Sequence, residues 1–422
     1  MVMRQTFLTL FIVHQLLGCY EPKEAEDAGE DSDSSSFSYV DTETDTNTET
    51  TFDSETETES NTGIDTDVDT SCDGVVQIPD QVFKAIILAE LGRPIAADLT
   101  GVDITGAEMA TIESLCYSQF AGPDCYENDR LVHSFIGAQC MTSLQLFDAE
   151  CSAVTDLHAL SNIQTLNAIS LRWNQVTDFS PLANLQELYK LNAGGGIFTD
   201  TSTFSGIVSL VSLDVQGEAL QNIDGLSSLA NLESLWIGSS ISDISALSSL
   251  TNLKELYLDY TDVTDLTPLT GLTNLEAIDI SSTQIANIEP LAGAAKLKRL
   301  IAMGSLITSL DALQQNSELT YVDVSYGDID DISGIENKLV LEVFIADTNF
   351  IADISALSSN VALKEISFIG NDVTDLTALL SLPALQTANF DVNPIDCTSQ
   401  ASNITALRDR GVALYCDCAG CL

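Results

Sequence analysis

Leucines recur along the chain at a nearly fixed interval. The interval is 22 residues at every step except from Leu232 to Leu253, where it is 21. The recurring leucines are Leu144, Leu166, Leu188, Leu210, Leu232, Leu253, Leu275, Leu297, Leu319, Leu341, Leu363 and Leu385. Two more apolar positions follow, as in Leu256 and Leu258 after Leu253. Twelve matches at one period indicate stacked structural repeats, each burying its apolar side against its neighbours.

Each repeat predicts a short strand followed by a turn, as in LYLDYTDVTDLTPL (256–269). Alternate strand residues face the same side, so Leu256 and Leu258 should point into the core and Tyr257 away from it. Val263 and Leu266 then re-enter the core. Pro181, Pro268 and Pro290 fall in the first turn after the repeated Asp or Asn, where a missing N–H is tolerated. The preceding Ser or Thr, as at Ser180 and Thr267, is expected to cap that turn.

The pattern LxxLxxLxLxxTxVTDLTPLxx resembles the 22-residue leucine-rich repeat of bacterial internalins and of a phosphatase regulator that shares their repeat. The resemblance covers about twelve repeats over 140–396. It implies an α/β leucine-rich repeat solenoid, with a curved parallel β-sheet on the concave face and short 3₁₀ or α turns on the convex face. It also implies a helical N-terminal cap and a disulfide-stabilised C-terminal cap.

The Asn that usually follows the strand in this family is only partly kept. It is present at Asn174, Asn349, Asn371 and Asn393 and is replaced at Ser152, Gly196, Glu218, Thr261, Thr283, Ser305 and Gly327. Ser and Thr are expected to bridge backbone groups of neighbouring coils in its place, whereas Gly cannot. The coil containing GGGIFTD (194–200) is therefore expected to be the locally weakest.

Both ends of the array resemble the caps of such bacterial proteins. Residues 74–139 form the expected N-terminal cap, in which Val82, Phe83 and Ile86 have helical spacing. The segment 131–144 resembles an incomplete first coil. Residues 397–422 form the expected C-terminal cap, with a helix over 404–410 that ends at Gly411 and a last strand in VALY (412–415).

The chain has ten cysteines, and all except Cys19 cluster near the two caps. Disulfides are typical of exported proteins. We expect Cys397 to join either Cys416 or Cys418 and Cys116 to join Cys125, and Cys140 could also meet Cys151 from a neighbouring coil. A zinc site in CDCAGC (416–421) is the alternative, although its spacing is tighter than that of the usual Cys pairs and no His lies nearby.

The first 18 residues have the features of an export signal, since MVMR precedes the apolar run TFLTLFIVHQLL. The run ends in LLGC (16–19), which resembles the lipobox of bacterial lipoproteins and implies lipidation of Cys19. An ordinary secretory signal cleaved nearby is the alternative. Tyr20 rather than Asp follows the cysteine, which by family analogy favours the outer membrane. We expect the anchored chain to be exposed at the cell surface.

Residues 19–73 differ in composition from the rest of the chain. Between 20 and 73 there are 19 acidic residues and one lysine, a net charge of −18. Such a segment cannot bury enough apolar surface to fold, and its like charges favour an extended tether. A calcium site at Asp65, Asp67, Asp69 and Asp73 is a weaker hypothesis, because the run lacks the Gly and the terminal Glu of an EF-hand loop.

The whole chain carries a formal net charge of −48. This charge argues against nucleic acid as a partner, because phosphate backbones are bound through Lys and Arg. It favours a cationic partner instead. No catalytic motif is recognisable, and neither His133 nor His158 stands in a motif with a nucleophile. The repeated carboxylates are interpreted as turn and cap residues, so we predict a protein without enzymatic activity and without a cofactor.

Residues that face outward from the predicted strands are not dictated by the core. The position of Tyr257 is occupied along the array by Asp148, Ser170, Asn192, Asp214, Trp236, Tyr257, Asp279, Ile301, Asp323, Ile345, Ser367 and Asn389. Trp236 and Tyr257 should be neighbours about 4.8 Å apart on adjacent strands. Aromatic and Arg residues are typical of recognition hot spots. The candidate ligand-binding residues are Trp236, Tyr257, Asp259, Asp279, Arg299, Tyr321 and Asp323, with Arg172 and Trp173 as a second candidate.

These observations favour a monomeric, membrane-anchored module that binds a protein or glycan on its concave face, in adhesion or cell-surface recognition. A structural envelope protein without a specific ligand is the alternative. A phosphatase-regulating scaffold is a third hypothesis, and the export signal argues against it because those regulators act inside cells.

Overall fold

The computed structural model describes residues 71–95, 99–116, 131–238, 240–418 and 421. The described residues all lie within one compact unit, Thr70–Leu422. Several predicted features lie outside the described residues, namely the signal peptide, most of the acidic tether, Cys19, Asp65, Asp67, Asp69 and Cys125.

Fourteen three-residue strands form one parallel sheet in which every strand lies between its neighbours in the sequence. They are β1 (Ser114–Cys116), β2 (Leu146–Asp148), β3 (Ala168–Ser170), β4 (Lys190–Asn192), β5 (Ser212–Asp214), β6 (Ser234–Trp236), β7 (Glu255–Tyr257), β8 (Ala277–Asp279), β9 (Arg299–Ile301), β10 (Tyr321–Asp323), β11 (Val343–Ile345), β12 (Glu365–Ser367), β13 (Thr387–Asn389) and β14 (Ala413–Tyr415). The sheet is open and curved, which confirms the predicted solenoid.

The repeated apolar residues form one continuous core along the solenoid. Leu253, Leu256 and Leu258 are fully buried, whereas Tyr257 between them is only partly buried. Burying each leucine side chain stabilises the fold by roughly 1.5–3 kcal/mol relative to leaving it exposed. The predicted alternation is therefore confirmed, and it leaves the first and third residues of each strand free to face the concave side.

Short 3₁₀ turns cross the opposite side of each coil. They comprise Ala138–Cys140, His158–Leu160, Ser180–Leu182, Ser202–Phe204, Asp224–Ser228, Ser245–Ser249, Thr267–Leu269, Glu289–Gly293, Asp311–Gln315, Ser333–Ile335, Ser355–Ser359 and Thr377–Ser381.

The residue that caps these turns is not the one predicted. Neither Ser180 nor Thr267 makes a side-chain cap hydrogen bond. Instead, the backbone N–H of each donates to the carboxylate two residues earlier, at 2.8 Å from Oδ1 of Asp178 and of Asp265. The Thr267 hydroxyl also donates to Asp265, and these bonds hold the pKa of Asp265 below its usual value. The repeated acids are thus turn residues, as the sequence indicated.

The Asn that follows some strands links neighbouring coils, as at Asn371. Its Nδ2 donates to the Ala346 carbonyl at 2.8 Å, and its Oδ1 accepts from the Ile351 N–H at 3.0 Å. The prediction that Ser and Thr replace this bridge is wrong. The hydroxyl of Thr261 donates only to the Leu258 carbonyl of its own coil, at 2.7 Å. A hydroxyl is too short to reach the next coil, whereas the amide is longer and has both donor and acceptor atoms.

The N-terminal cap contains helix α1 (Gln81–Glu90) and the short helix α2 (Gly106–Met109). The Asp80 carboxylate caps α1 by accepting from the Phe83 N–H at 2.9 Å. Its second oxygen accepts from the His133 N–H at 2.6 Å, which ties the cap to the segment before the array. That segment supplies the 3₁₀ turn of a coil whose strand is β1, so the sheet begins before residue 140. The C-terminal cap contains helix α3 (Ala401–Asp409) and β14, close to the predicted positions.

Disulfides lie at both ends of the solenoid. Cys397 joins Cys418, one of the two predicted pairings, and Cys416 joins Cys421. The suggested pairing of Cys140 with Cys151 is wrong, because Cys140 joins Cys72 across 68 residues. This bond brings the chain before α1 against the turn of the β1 coil. The remaining described cysteines, Cys116 and Cys151, are also disulfide-bonded, and the pairing of Cys116 with Cys125 stays a prediction.

The third position after most strands has left-handed backbone conformation. It is occupied by Gly195, Gly304 and Gly370 in three coils and by Cys151, Trp173, Tyr260, Ser282, Tyr326, Thr348 and Val392 in others. The N–H of this residue donates to the next coil, as from Tyr260 to the Ser281 carbonyl at 2.9 Å. A β-branched side chain is strained in this conformation, and Val392 has φ of 58°.

Replacing Val392 with glycine should therefore raise the free energy of unfolding by about 0.5–1 kcal/mol, because relief of strain exceeds the entropy that glycine adds to the unfolded chain. Val392 is 67% exposed, so little packing is lost. Chemical denaturation measures the change. Val361→Gly is the matched control, since Val361 is also exposed but lacks positive φ and should lose stability. An equal loss in both variants would contradict the strain argument.

Candidate functional site

The outward-facing residues form one row along the concave face. Strand pairing aligns Asp214 with Trp236, Trp236 with Tyr257 and Tyr257 with Asp279. Farther along, Asp279 aligns with Ile301 and Ile301 with Asp323. The register predicted from the sequence is therefore the register of the sheet. Neighbouring members of the row lie one strand spacing apart, about 4.8 Å.

Trp236 and Tyr257 form a stacked aromatic pair at the centre of the sheet. Their ring centroids lie 5.0 Å apart and their planes differ by 3°. Adjacent parallel strands hold the two side chains side by side, and offset stacking adds roughly 0.5–1.5 kcal/mol to their burial. Trp236 is only 9% exposed, whereas Tyr257 is partly buried. Burial raises the pKa of the Tyr257 hydroxyl to about 12.

Carboxylates flank the aromatic pair on both sides. Asp214 lies beside Trp236 and Asp279 lies beside Tyr257. Asp259 follows Tyr257 by two residues on the same strand side. Burial raises the pKa of Asp214 to about 6 and, together with the negative charge of Asp279, raises the pKa of Asp259 to about 6. Burial also raises the pKa of Asp279. Burial removes water from these carboxylates, and their hydrogen bonds and nearby positive charges offset only part of the resulting penalty on the ionised forms.

Arg299 and Tyr321 extend this surface across β9 and β10. The Arg299 guanidinium carbon lies 4.6 Å from the centroid of the Tyr321 ring, a cation–π geometry. Asp323 lies two residues after Tyr321, and its Oδ1 accepts from the Ser325 N–H at 3.1 Å. Burial raises the pKa of Asp323 despite that bond. The positive charge of Arg299 offsets part of the increase in the pKa of Asp279 that burial causes. Arg299 therefore interacts with an acid beside the aromatic pair.

The structure thus brings the predicted residues into one continuous surface, which we call the aromatic–acidic patch. It consists of Asp214, Trp236, Tyr257, Asp259, Asp279, Arg299, Tyr321 and Asp323. Asp214 was in the predicted row but not among the predicted site residues. The signal that could have found it is its place directly beside Trp236, together with a glycine at Gly194. A side chain on Gly194 would collide with the Asp214 carboxylate, because an added Cβ would lie 2.9 Å from Oδ2.

Arg172 and Trp173, the second predicted site, contact each other, and the charge of Arg172 also acts on Asp214 of the patch. The Arg172 guanidinium carbon lies 4.3 Å from the centroid of the Trp173 ring. Trp173 has positive φ and is 46% exposed at the edge of the concave face. The Trp173 ring lies over Gly195, because a Cβ added to Gly195 would come within 2.1 Å of Cδ1 of Trp173. The glycines of this coil therefore make room for neighbouring side chains, and its predicted weakness stays a prediction.

Among the described residues, no group of three or more His, Cys, Asp or Glu side chains is arranged to hold a metal ion. His158 is exposed and its Nδ1 lies 2.6 Å from Asp156, which belongs to a turn. In the same part of the chain, none of the helices has the length and apolar character needed to cross a membrane.

Comparisons with known proteins agree with this architecture. The family model described as leucine-rich repeats in two copies matches residues 251–293, which include β7 and β8. The fold is a leucine-rich repeat solenoid. No curated protein sequence matches the chain.

Solved structures are similar along most of the solenoid. An internalin of Listeria monocytogenes is 24% identical, with 80% of this chain and 88% of that chain covered and a TM-score of 0.61. A leucine-rich repeat protein of Leptospira interrogans is 20% identical, with 65% of this chain and 73% of that chain covered and a TM-score of 0.60. At these identities the likeness concerns the fold.

Proposed function

We propose that this protein is a non-catalytic binding module that takes a protein ligand on its concave face through the aromatic–acidic patch. The observation that carries the proposal is the stacked Trp236–Tyr257 pair between Asp214 and Asp279 on a face that the core does not need. Large aromatic side chains near the centre of a surface, with desolvated polar groups around them, are typical of protein-binding hot spots.

The parallel sheet supports this role because it holds the patch rigidly. Each patch residue lies on or directly after a three-residue strand that is hydrogen-bonded to both neighbouring strands. The leucines on the other side of the same strands are fully buried, as at Leu235 and Leu256. Side chains that are already ordered lose less conformational entropy on binding, so preorganisation increases affinity.

We further propose that the module acts outside the cytoplasm, lipid-anchored through Cys19 at the bacterial outer membrane and displayed for adhesion or cell-surface recognition. Support comes from the apolar run and lipobox-like LLGC at 16–19, and from the acidic segment that follows. Disulfides at both ends of the solenoid are typical of proteins that work in an oxidising compartment.

The double substitution Trp236→Ala and Tyr257→Ala is expected to weaken attachment at least about tenfold, because truncating each hot-spot aromatic typically costs about 2 kcal/mol or more. Attachment of beads coated with the full chain to a panel of cells and envelope preparations measures the effect. Circular dichroism checks that the variant remains folded.

Tyr189→Ala with Tyr260→Ala is the matched control. Both tyrosines are exposed, at 47% and 64%, and neither belongs to the concave row. This control should attach as the unchanged protein does. If the folded patch variant attaches as well as the control, the concave-face proposal fails and a structural envelope role is favoured.

A further inference from the structure

We propose that the aromatic–acidic patch binds a cationic side chain, arginine or lysine, on a basic segment of its protein partner. Asp214, Asp259 and Asp279 are the counter-ions, and the Trp236–Tyr257 pair is the apolar wall against which the stem of that side chain packs. This inference rests on the proposed function and names the chemistry of the ligand.

The first argument is an excess of negative charge within the patch. The charges of Asp214 and Asp279 both act on Asp259 and disfavour its ionisation. Among the described residues, none of these three carboxylates is part of an ion pair. The cations that influence them, Arg172 and Arg299, already lie over aromatic rings. A ligand cation would supply the missing positive charge.

The second argument is the open oxygen of Asp214. This residue is 7% exposed, and its Oδ1 accepts from the Gln216 N–H at 2.9 Å. Within the part of the chain that the structure describes, no group donates to Oδ2, which lies over Gly194. This oxygen is not among the buried side-chain atoms that lack a hydrogen-bond partner, so it is open to a donor from a ligand. Burial of the residue raises the pKa of the carboxyl, and a guanidinium or ammonium donor at that oxygen would offset part of this desolvation.

The third argument is the aromatic pair itself. Trp236 and Tyr257 stack side by side on adjacent strands, and Asp259 follows Tyr257 by two residues. Arginine and lysine carry apolar stems that pack along aromatic side chains while their charged ends reach carboxylates. Tyr257 is only partly buried and provides such a surface beside Asp259 and Asp279.

The charge of the whole chain agrees with a cationic partner. A net charge of −48 attracts basic proteins over long distances and repels anionic ones. A neutral glycan could stack on the aromatic pair, but it would leave three desolvated carboxylates without a counter-ion. The observations therefore favour a basic protein segment, and glycan binding becomes an outcome of the test.

Tryptophan fluorescence can test this site directly. The chain has two tryptophans, so Trp173→Phe in the full chain leaves Trp236 as the only reporter. The probes are a tetra-arginine amide, the citrulline peptide of the same length, and cellotetraose. At about 0.15 M salt, where contacts between exposed charges are screened beyond about 8 Å, only the arginine peptide should change the Trp236 emission.

A matched pair of triple variants separates the site from the general charge. One carries Asp214→Asn, Asp259→Asn and Asp279→Asn. The control carries the same change at three turn residues, Asp243, Asp265 and Asp353, each of which accepts a backbone N–H at 2.8 Å. Both variants lose three negative charges. The patch variant should bind the arginine peptide at least tenfold more weakly, and the control should change less than twofold.

Equal weakening in the two variants would assign binding to the overall charge and overturn the proposal. Equal responses to the citrulline peptide or to cellotetraose would also overturn the cationic assignment. If no probe responds while bead attachment still requires Trp236 and Tyr257, the cationic inference fails and the proposed function stands. If bead attachment is also insensitive to that pair, both fail.

Discussion

Replacing Asn371 with alanine is expected to lower the free energy of unfolding by about 3 kcal/mol. The substitution leaves the Ile351 N–H without a partner and removes the stronger of two donors to the Ala346 carbonyl, which keeps Asn349 Nδ2 at 3.2 Å. Asn371 is only 5% exposed, so water does not replace these bonds in the folded protein. Each buried polar group left unsatisfied costs about 1–3 kcal/mol. Chemical denaturation measures the total, and hydrogen exchange at the Ile351 amide measures the local effect.

Thr261→Ala is the matched control, because Thr261 occupies the same repeat position and is also buried. Its hydroxyl makes one hydrogen bond, to the Leu258 carbonyl within its own coil. Losing it should cost about 1 kcal/mol. Equal losses in the two variants would mean that the amide does not stabilise the contact between coils. A loss at Asn371 without faster exchange at Ile351 would contradict the proposed hydrogen bond.

The sequence predicts the fold well because one period determines most of it. A 22-residue spacing with Leu256 and Leu258 inside can be satisfied only by stacked coils, and the register then follows from alignment of the leucines. The same spacing identifies the concave row, including the neighbouring positions of Trp236 and Tyr257. The repeated Asp residues were interpreted as turn residues for the same reason, and Asp265 is one.

Features that depend on distance or side-chain reach could not be read from the period. The Cys72–Cys140 bond joins residues from before α1 and from the turn of the β1 coil, and no repeat relates them. The difference between Asn371 and Thr261 depends on how far each side chain extends beyond its own coil. The alternation of strand residues predicts that Trp236 faces outward, but it does not predict that the stacking contact with Tyr257 buries it.

Burying the ionised carboxylate of Asp214 destabilises the folded protein, and the pH dependence of the free energy of unfolding measures this effect. Its pKa is raised from 3.8 to about 6 by burial, so the folded protein binds a proton more tightly than the unfolded chain. Because the folded state holds more protons, stability is greatest below about pH 4 and falls as pH rises through 6. A shift of about two units corresponds to roughly 3 kcal/mol lost by neutral pH.

Asp214→Asn should therefore raise the free energy of unfolding by about 2–3 kcal/mol at pH 7.5 and leave it nearly unchanged at pH 3.5. Asparagine keeps an oxygen that accepts from the Gln216 N–H, so the backbone contact survives. Denaturation of both proteins between pH 3.5 and 7.5 measures the difference. Asp214→Asn also removes the negative charge that disfavours ionisation of Asp259, which adds to the gain at neutral pH, and it removes the attraction to Arg172, which opposes the gain.

Asp265→Ala provides the control with the opposite sign. Hydrogen bonds from Thr267 lower the pKa of Asp265, so its contribution is present at neutral pH and is lost as pH falls through the folded-state value. This variant should be destabilised at pH 7.5 and less so at acidic pH. Opposite pH trends would separate two uses of aspartate along the array, capping a turn and facing the concave side. If Asp214→Asn gives no gain at pH 7.5, the carboxylate is compensated in the free protein, and the argument for a missing counter-ion loses its energetic basis.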